Sequence, residues 1–318
     1  GHPSADVHSS VPQTDQDRQL FGQASRLVYP QGPGIWSLMG YRQTPDQIRE
    51  HYVVERELAE RLRSAGKAER RWLYAAVYDE LFARVPHHPQ IAQALDEQGS
   101  AREARRELAL LNRYLRPSDV FLEIGPGDCH LALAVAKRVQ RVIAVDVSDA
   151  VAQAIPTSAN FEFVVSDGTS IPVPDGSVDI AYSRHVLEHL HPDDVSDHLA
   201  EVYRALAPGG RYVCITPSRL SGPHDVSRHF DRVATGLHLH EYSITELDAL
   251  LRAGGFVRVA VIVGSRGWFL PVRFAPAPFR WLERVLAPLP YPLRRAVARF
   301  PPIRVVLGVR LVAHKPAQ

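Results

Sequence analysis

The sequence predicts an α/β fold: a doubly wound, mostly parallel seven-stranded sheet with an N-terminal helical appendage and an insertion before the last strand. Two observations carry this expectation. Short β-branched runs alternate with helical segments from residue 117 to residue 263, and alternation of this kind builds a parallel sheet covered on both faces. The first of those runs ends in Glu123-Ile124-Gly125-Pro126-Gly127, a glycine turn where such sheets hold ligands. The balance of the 318 residues is that of a globular protein, with 45% hydrophobic and 23% charged side chains, so wholesale disorder is excluded.

The elements follow in order. Residues 1–35 are rich in Ser, Gln, Asp, Pro and Gly without periodicity and are expected to form a flexible tail. Thr44-Pro45-Asp46-Gln47 predicts a helix start, with its end near Ser64 and Gly66 as C-terminal cap. Further helices are expected over 67–84 and 101–115, making 36–116 a helical appendage or lid. Strands are predicted at 120–122, 142–145, 161–165, 178–182, 211–216 and 256–263, with a closing strand at 304–313. Helices are predicted over 129–138, 193–206 and 245–253, and a further one directly after the fourth strand. The core is thus 117–265 with 304–318, and 266–303 is a basic aromatic insertion or cap.

Charge and cysteine usage narrow the class. The overall charge is +2, yet residues 266–318 hold ten basic groups and one acid, leaving −7 on the rest. The two cysteines, Cys129 and Cys214, make neither a disulfide framework nor a metal knuckle, so a cytoplasmic protein is expected. No apolar run reaches membrane-spanning length, and the opening residues show no charged-then-apolar targeting pattern.

The candidate chemistry lies at the strand ends. Asp146 ends the second strand, 19 residues after Gly127, where an acid accepts hydrogen bonds from ribose hydroxyls. Asp167-Gly168 ends the third strand, where a carboxylate meets an exocyclic amine of adenine. The dinucleotide fingerprint fails, because its third glycine position is His130.

Glu123-x-Gly125-x-Gly127, Asp146, Asp167-Gly168, Pro174-Asp175-Gly176-Ser177-Val178-Asp179, Val186-Leu187-Glu188-His189-Leu190 and Leu206-Ala207-Pro208-Gly209-Gly210 together resemble the successive motifs of class I S-adenosylmethionine-dependent methyltransferases of the type-11 kind. The resemblance covers about 117–263 and implies a Rossmann-like methyltransferase fold with S-adenosylmethionine as cofactor. It places Glu123, Gly125 and Gly127 around the methionine part, Asp146 at the ribose and Asp167 near the adenine, with Val147 and Gly168 as further cofactor-binding residues. Arg184, at the end of the fourth strand, completes the expected cofactor set. The chain departs from the family at Cys129, where a small residue is usual.

Eight of the fifteen histidines lie between 185 and 240. His185-Val186-Leu187-Glu188-His189 reads H-x-x-E-H, the inverted zinc-protease pattern, but directly after a strand of a cofactor-binding sheet a protease is not expected. Helical spacing would put 185, 188 and 189 on one face. Small-RNA 2′-O-methyltransferases and ubiquinone-pathway O-methyltransferases carry a similar metal-holding segment here, and His238-Leu239-His240-Glu241-Tyr242-Ser243 resembles the later histidine motif of the RNA enzymes. The resemblance therefore implies a candidate metal set of His185, Glu188, His189 and His238. His185 stands where the family has Glu, which favours Mn2+ or Zn2+ over Mg2+. Without a metal, His185, His189, His238 and His240 are the candidate catalytic bases.

The expected function is O-methylation of a small-molecule or sugar-containing acceptor, anionic or lipid-linked, with nucleic acid disfavoured by the acidic remainder of the chain. Two alternatives stay open. One is a metal-dependent 2′-O-methyltransferase of RNA or a quinone-type O-methyltransferase; the other is a membrane-surface binding protein with a vestigial cofactor fold. The sequence leaves the oligomeric state open.

Overall fold

The structure, a computed structural model, describes residues 43–94, 96–148, 158–265 and 267–317. The chain divides into two compact units, Gly1–Thr44 and Pro45–Gln318. The tail expected over 1–35 lies outside the described residues, and the description below concerns the second unit.

Among the described residues four helices come first: α1 (Pro45–Ser64), α2 (Lys67–Arg84), α3 (Pro89–Ala94) and α4 (Glu97–Leu111). The sheet core follows as β1 (Val120–Ile124), α5 (His130–Ala136), β2 (Arg141–Asp146), β3 (Phe161–Val165), β4 (Val178–Arg184), α6 (Pro192–Ala205), β5 (Leu206–Thr216), α7 (Ile244–Ala253) and β6 (Val257–Ser265). The chain ends with β7 (Trp268–Phe274), α8 (Ala277–Leu286), α9 (Tyr291–Arg299), α10 (Pro301–Val306) and β8 (Val309–His314).

The strands form one sheet in the order β3-β2-β1-β4-β5-β8-β6-β7. Pairing is parallel from β3 to β5 and antiparallel through β8, β6 and β7. Strand alternation divides two cores. Phe121, Val142, Ala144, Ile180, Tyr182 and Val213 join one apolar cluster. Their neighbours Leu122, Ile143, Val145, Ala181, Tyr212 and Cys214 join the other, so both faces of the sheet are covered, as a parallel sheet requires. The order in which strands are added reverses between β1 and β4, and the glycine turn after β1 sits at that switch point.

Three expectations need correction. The sheet has eight strands among the described residues, because Trp268–Phe274 turns back antiparallel onto β6. The stretch 266–303 is thus part strand and part helix, and 301–306 is helical before the closing strand. Gly66 stands at the N-cap of α2 with an extended backbone, not as a left-handed C-terminal cap.

A buried ion pair fastens helix α2 of the appendage to the core. Arg70 of α2 donates from Nε and Nη2 to both carboxylate oxygens of Asp194 at 2.7 Å each, and Tyr74 donates its hydroxyl to Asp194 at 2.7 Å. Asp194 sits in the first turn of α6, where the helix dipole also favours an anion. Its carboxyl is held below its usual range: burial alone would raise it, but Arg70 and Tyr74 outweigh that. Removing one partner from such a pair strands the other in a dry site. Asp194→Ala is expected to lower stability by about 3–5 kcal/mol in urea denaturation. In the native chain this contribution is complete above about pH 4 and fades as pH falls through the depressed value. A variant within experimental error of the native chain would show that Arg70 and Tyr74 find other partners.

Candidate active site

The glycine loop is built for close approach. Gly125 and Gly127 have φ of +67° and +53°, values that a side chain resists. A Cβ on Gly125 would come within 2.6 Å of Val186 Cγ2, so this loop and the H-x-x-E-H segment are in direct contact.

Glu123 lies at the end of β1, 5% exposed, with its Oε2 lacking a hydrogen-bond partner among the described residues. Burial pushes its carboxyl well above the ordinary range, and Glu107, Asp128 and Asp146 add to the shift. An orphaned buried carboxylate oxygen beside other acids fits a cationic ligand group. Asp146 accepts the Val147 amide at 2.7 Å, and the amides of Gly127 and Ser148 also favour its charged form. Burial still raises its carboxyl. Gly168 has φ +84°, and a Cβ there would meet Val147 Cγ1 at 3.1 Å and Tyr74 Cδ2 at 3.2 Å. Asp167 spends Oδ1 on its own turn, accepting from Thr169 and Ser170. Its Oδ2 faces Arg71 at 4.0 Å.

Arg184 departs from expectation. Its guanidinium is held by Glu103 and Glu107 of α4, and Tyr182 donates to the same Glu107 at 2.7 Å. Its charge is therefore already matched, which makes it a tie between α4 and β4 rather than an open cofactor ligand.

The histidine segment is not the helix its spacing suggests. His185 takes a left-handed backbone, φ +57°, and only Leu187–His189 form a short 3-10 turn. His185 and His189 therefore do not share one face. His185 donates from Nδ1 to Glu188 Oε1 at 2.8 Å, and Thr216 donates to Oε2 at 2.9 Å. Glu188 is fully buried, which would raise its carboxyl, yet it stays anionic because the His185 hydrogen bond and the nearby His185, His189 and His238 rings together outweigh that desolvation.

His189 turns to the other side, its Nδ1–H meeting the Leu237 carbonyl at 3.0 Å. The His238 ring lies edge-on to it with centroids 4.9 Å apart. His238 donates from Nδ1 to Glu241 at 2.8 Å. One ligand atom each from Glu188, His189 and His238 lies within 4.8 Å of the others, so three of the four expected metal donors converge. His185 is not in that group. His240 turns away as well: it reaches toward Glu246 at 3.5 Å and stacks edge-on against Tyr242, so its side chain is no part of the candidate base set.

The two facing imidazoles differ in basicity. Burial, then the nearby His238, lowers His189 to about 4. Burial would lower His238 too, but the Glu241 hydrogen bond together with the charges of Glu188, Asp225 and Glu241 outweighs it and raises His238 to about 9.

A second polar cluster escaped the sequence reading. His51 and Glu55 of α1 and His88 of the loop before α3 have ligand atoms within 4.8 Å of one another, all buried. Glu55 also accepts the Leu237 amide at 3.3 Å. The signal was present: the buried stripe of α1 runs Ile48, His51, Glu55, Leu58, Leu62, with polar residues in its middle. His185 and Arg184 also line a cavity of about 360 Å³ at the ends of β4 and β5, closed on one side by Ala298, Arg304 and Leu307 of the C-terminal insertion.

Residues 122–214 match the family model of a methyltransferase domain. This stretch is therefore similar to a methyltransferase domain. A relative from Mycolicibacterium smegmatis, named a probable S-adenosylmethionine-dependent methyltransferase, is 32% identical over 136 residues, which are 42% of this chain and 51% of the relative. An uncharacterised methyltransferase of Bacillus subtilis is 28% identical over 171 residues, 51% of this chain and 64% of that one. The chain therefore spans about half to under two thirds of these relatives. A solved complex of the Trm112 methyltransferase activator with a methyltransferase from Haloferax volcanii aligns at TM-score 0.49 and 21% identity, covering 72% of this chain and 98% of the matched one. The matched residues include the glycine loop and Asp146. No helix among the described residues is long and apolar enough to cross a membrane.

S-adenosylmethionine, the cofactor that the motif resemblance implies, carries an ammonium group, which the orphaned Glu123 oxygen suits. Asp146→Ala is expected to weaken S-adenosylhomocysteine binding by about 1.5–3 kcal/mol in calorimetry, through loss of charge-assisted hydrogen bonds. A cation stabilises the charged form of a carboxyl whose pKa is raised, so binding should release protons and weaken as pH falls through that raised value. Titrations in two buffers of different ionisation heat measure this; proton uptake would remove Glu123 from the site.

Proposed function

We propose that the chain is an S-adenosylmethionine-dependent methyltransferase acting on a hydroxyl of a small-molecule acceptor, with His189 as base. The carrying observation is the pair of facing imidazoles in opposite states, next to a turn that touches the glycine loop. When bound, the cofactor supplies an electrophilic methyl group on a sulfonium. Glu123, Gly125, Gly127, Asp146, Val147, Asp167 and Gly168 are the residues that would hold it.

The protein's own part is alignment and proton removal. The Leu237 carbonyl accepts a hydrogen bond from Nδ1–H of His189, which leaves Nε2 with its lone pair. Nε2 takes the proton of the acceptor hydroxyl. The Glu188 carboxylate alongside offsets the imidazolium that forms, and His185 and Thr216 hold that carboxylate in place.

A second reading has its own observation. His189 and His238 both have Nδ1 fastened to an oxygen acceptor, the usual way a protein aims imidazole Nε2 atoms at a metal. With Glu188 they would offer three ligands for Mn2+ or Zn2+, and such an ion would lower the pKa of a bound hydroxyl.

One experiment separates these readings. The chain is incubated with methyl-tritiated S-adenosylmethionine and, in parallel, with hydroxylated small molecules and with a protein fraction. Label is expected in the small-molecule arm; label in protein alone would overturn the acceptor class, which matters because a matching relative from Bos taurus is named an eEF1A lysine and N-terminal methyltransferase. His189→Ala should lower turnover about 10²–10⁴-fold with unchanged S-adenosylhomocysteine affinity. Full turnover in excess chelator supports the base reading. Loss restored by Mn2+ or Zn2+ supports the metal.

A further inference from the structure

The C-terminal arm leaves an unusual surface uncovered. Ten large apolar side chains are exposed among the described residues, and five of them lie between 268 and 300: Trp268 at 59%, Trp281 at 67%, Val285 at 48%, Leu293 at 52% and Phe300 at 60%. They follow helical periodicity. Trp281 and Val285 are one turn apart on α8, while Leu293, Ala296 and Phe300 recur along α9 and its C-cap. The inner faces are accounted for separately. Leu286, Ala298 and Leu307 pack with Leu220 in a small core, and Phe279 joins the main one. The outer apolar stripes are therefore not needed to hold the arm in place.

The charge on this arm is of one sign. Its single acid, Glu283, is buried and accepts the amides of Ile244 and Thr245 at the start of α7, at 2.7 and 2.9 Å. Arg280 pairs with Asp248. Arg284, Arg294, Arg295 and Arg304 have no carboxylate partner among the described residues. Arg294 and Arg295 crowd the Tyr291 ring at 5.9 and 5.8 Å, with Arg232 at 5.9 Å from the same ring. Guanidinium groups held together without acids repel one another and call for negative charge from outside.

We infer that α8 and α9 dock on an anionic lipid surface. The Trp, Phe, Leu and Val side chains enter the boundary of headgroups and acyl chains, and the arginines meet lipid phosphates. The aliphatic members decide against nucleic acid, because Val285 and Leu293 neither stack on a base nor pair with a phosphate. The inference stands apart from the methyl-transfer reading, since it uses none of the residues assigned there. It also seats Ala298, which lines the cavity below β5, in a helix at that surface.

The test is sedimentation of the full chain with vesicles of phosphatidylcholine alone and of phosphatidylcholine with about one third phosphatidylglycerol. The chain should pellet with the anionic vesicles, less as salt rises, and stay in solution with the neutral ones. Trp281→Ala with Phe300→Ala should cut binding at least tenfold without moving the thermal midpoint, since both side chains are exposed. Arg284→Gln should cut it about fivefold, the factor for ~1 kcal/mol per arginine near such a surface. Absence of pelleting, equal pelleting with neutral vesicles, or a double variant that still binds fully would overturn the inference. So would tight binding of a mixed-sequence RNA oligonucleotide by a chain that ignores the vesicles.

Discussion

The histidine site depends on a carboxylate that is not part of it. Glu55 of α1 is buried, and burial alone would neutralise it, yet the hydrogen bonds from His51 and His88 keep it charged. It takes the His51 Nε2 proton donor at 2.7 Å and the Leu237 amide at 3.3 Å. The Leu237 carbonyl then fixes the tautomer of His189, and the next residue is His238. Arg63 of the same helix holds the carbonyls of Thr235 and Gly236 at 3.0 Å each. One helix outside the sheet therefore sets the loop that brings two imidazoles together. Gly236 belongs to this arrangement, because a Cβ there would lie 2.3 Å from Glu55 and 2.8 Å from Asp225.

What the sequence made legible was local. Glu123, Gly125, Gly127 and Asp146 sit where a strand ends and a turn begins, so their spacing alone places them at one edge of the sheet. The convergence of Glu188, His189 and His238 was also legible, through motif resemblance. What the spacing misjudged was conformation: the left-handed backbone of His185 turns its ring toward Glu188 and away from His189, and no periodic pattern signals that. Arg184 and His240 were misread for a different reason. Their partners, Glu103 and Glu107 for the one and Glu246 and Tyr242 for the other, claim them through tertiary contacts that a linear reading does not weigh. The His51, Glu55 and His88 cluster lies more than a hundred residues from the motif it supports, and only the polar break in an apolar helix stripe announced it.

The cofactor side and the histidine side share walls. Val186 touches the glycine loop at Gly125, while Tyr74 packs on Gly168 at one end and accepts the His191 amide at 2.9 Å at the other. Tyr78, on the same helix as Tyr74, lies edge-on to His189 with centroids 5.9 Å apart. Helix α2 thus runs along both halves of the site, and the Arg70–Asp194 pair that fastens it to α6 positions two tyrosines at once.

The eighth strand changes the exposure of the sheet itself. A sheet edge carries a row of open backbone donors and acceptors, and another chain can pair with that row. Here β7 forms one edge, and Pro271 in its middle has no N–H to offer, so a foreign strand finds the ladder interrupted. At the opposite edge β3 is only five residues long and bears Glu162, which pairs with Arg141 of β2. Shortness, a charge and a proline together guard the two margins against end-on growth into aggregates.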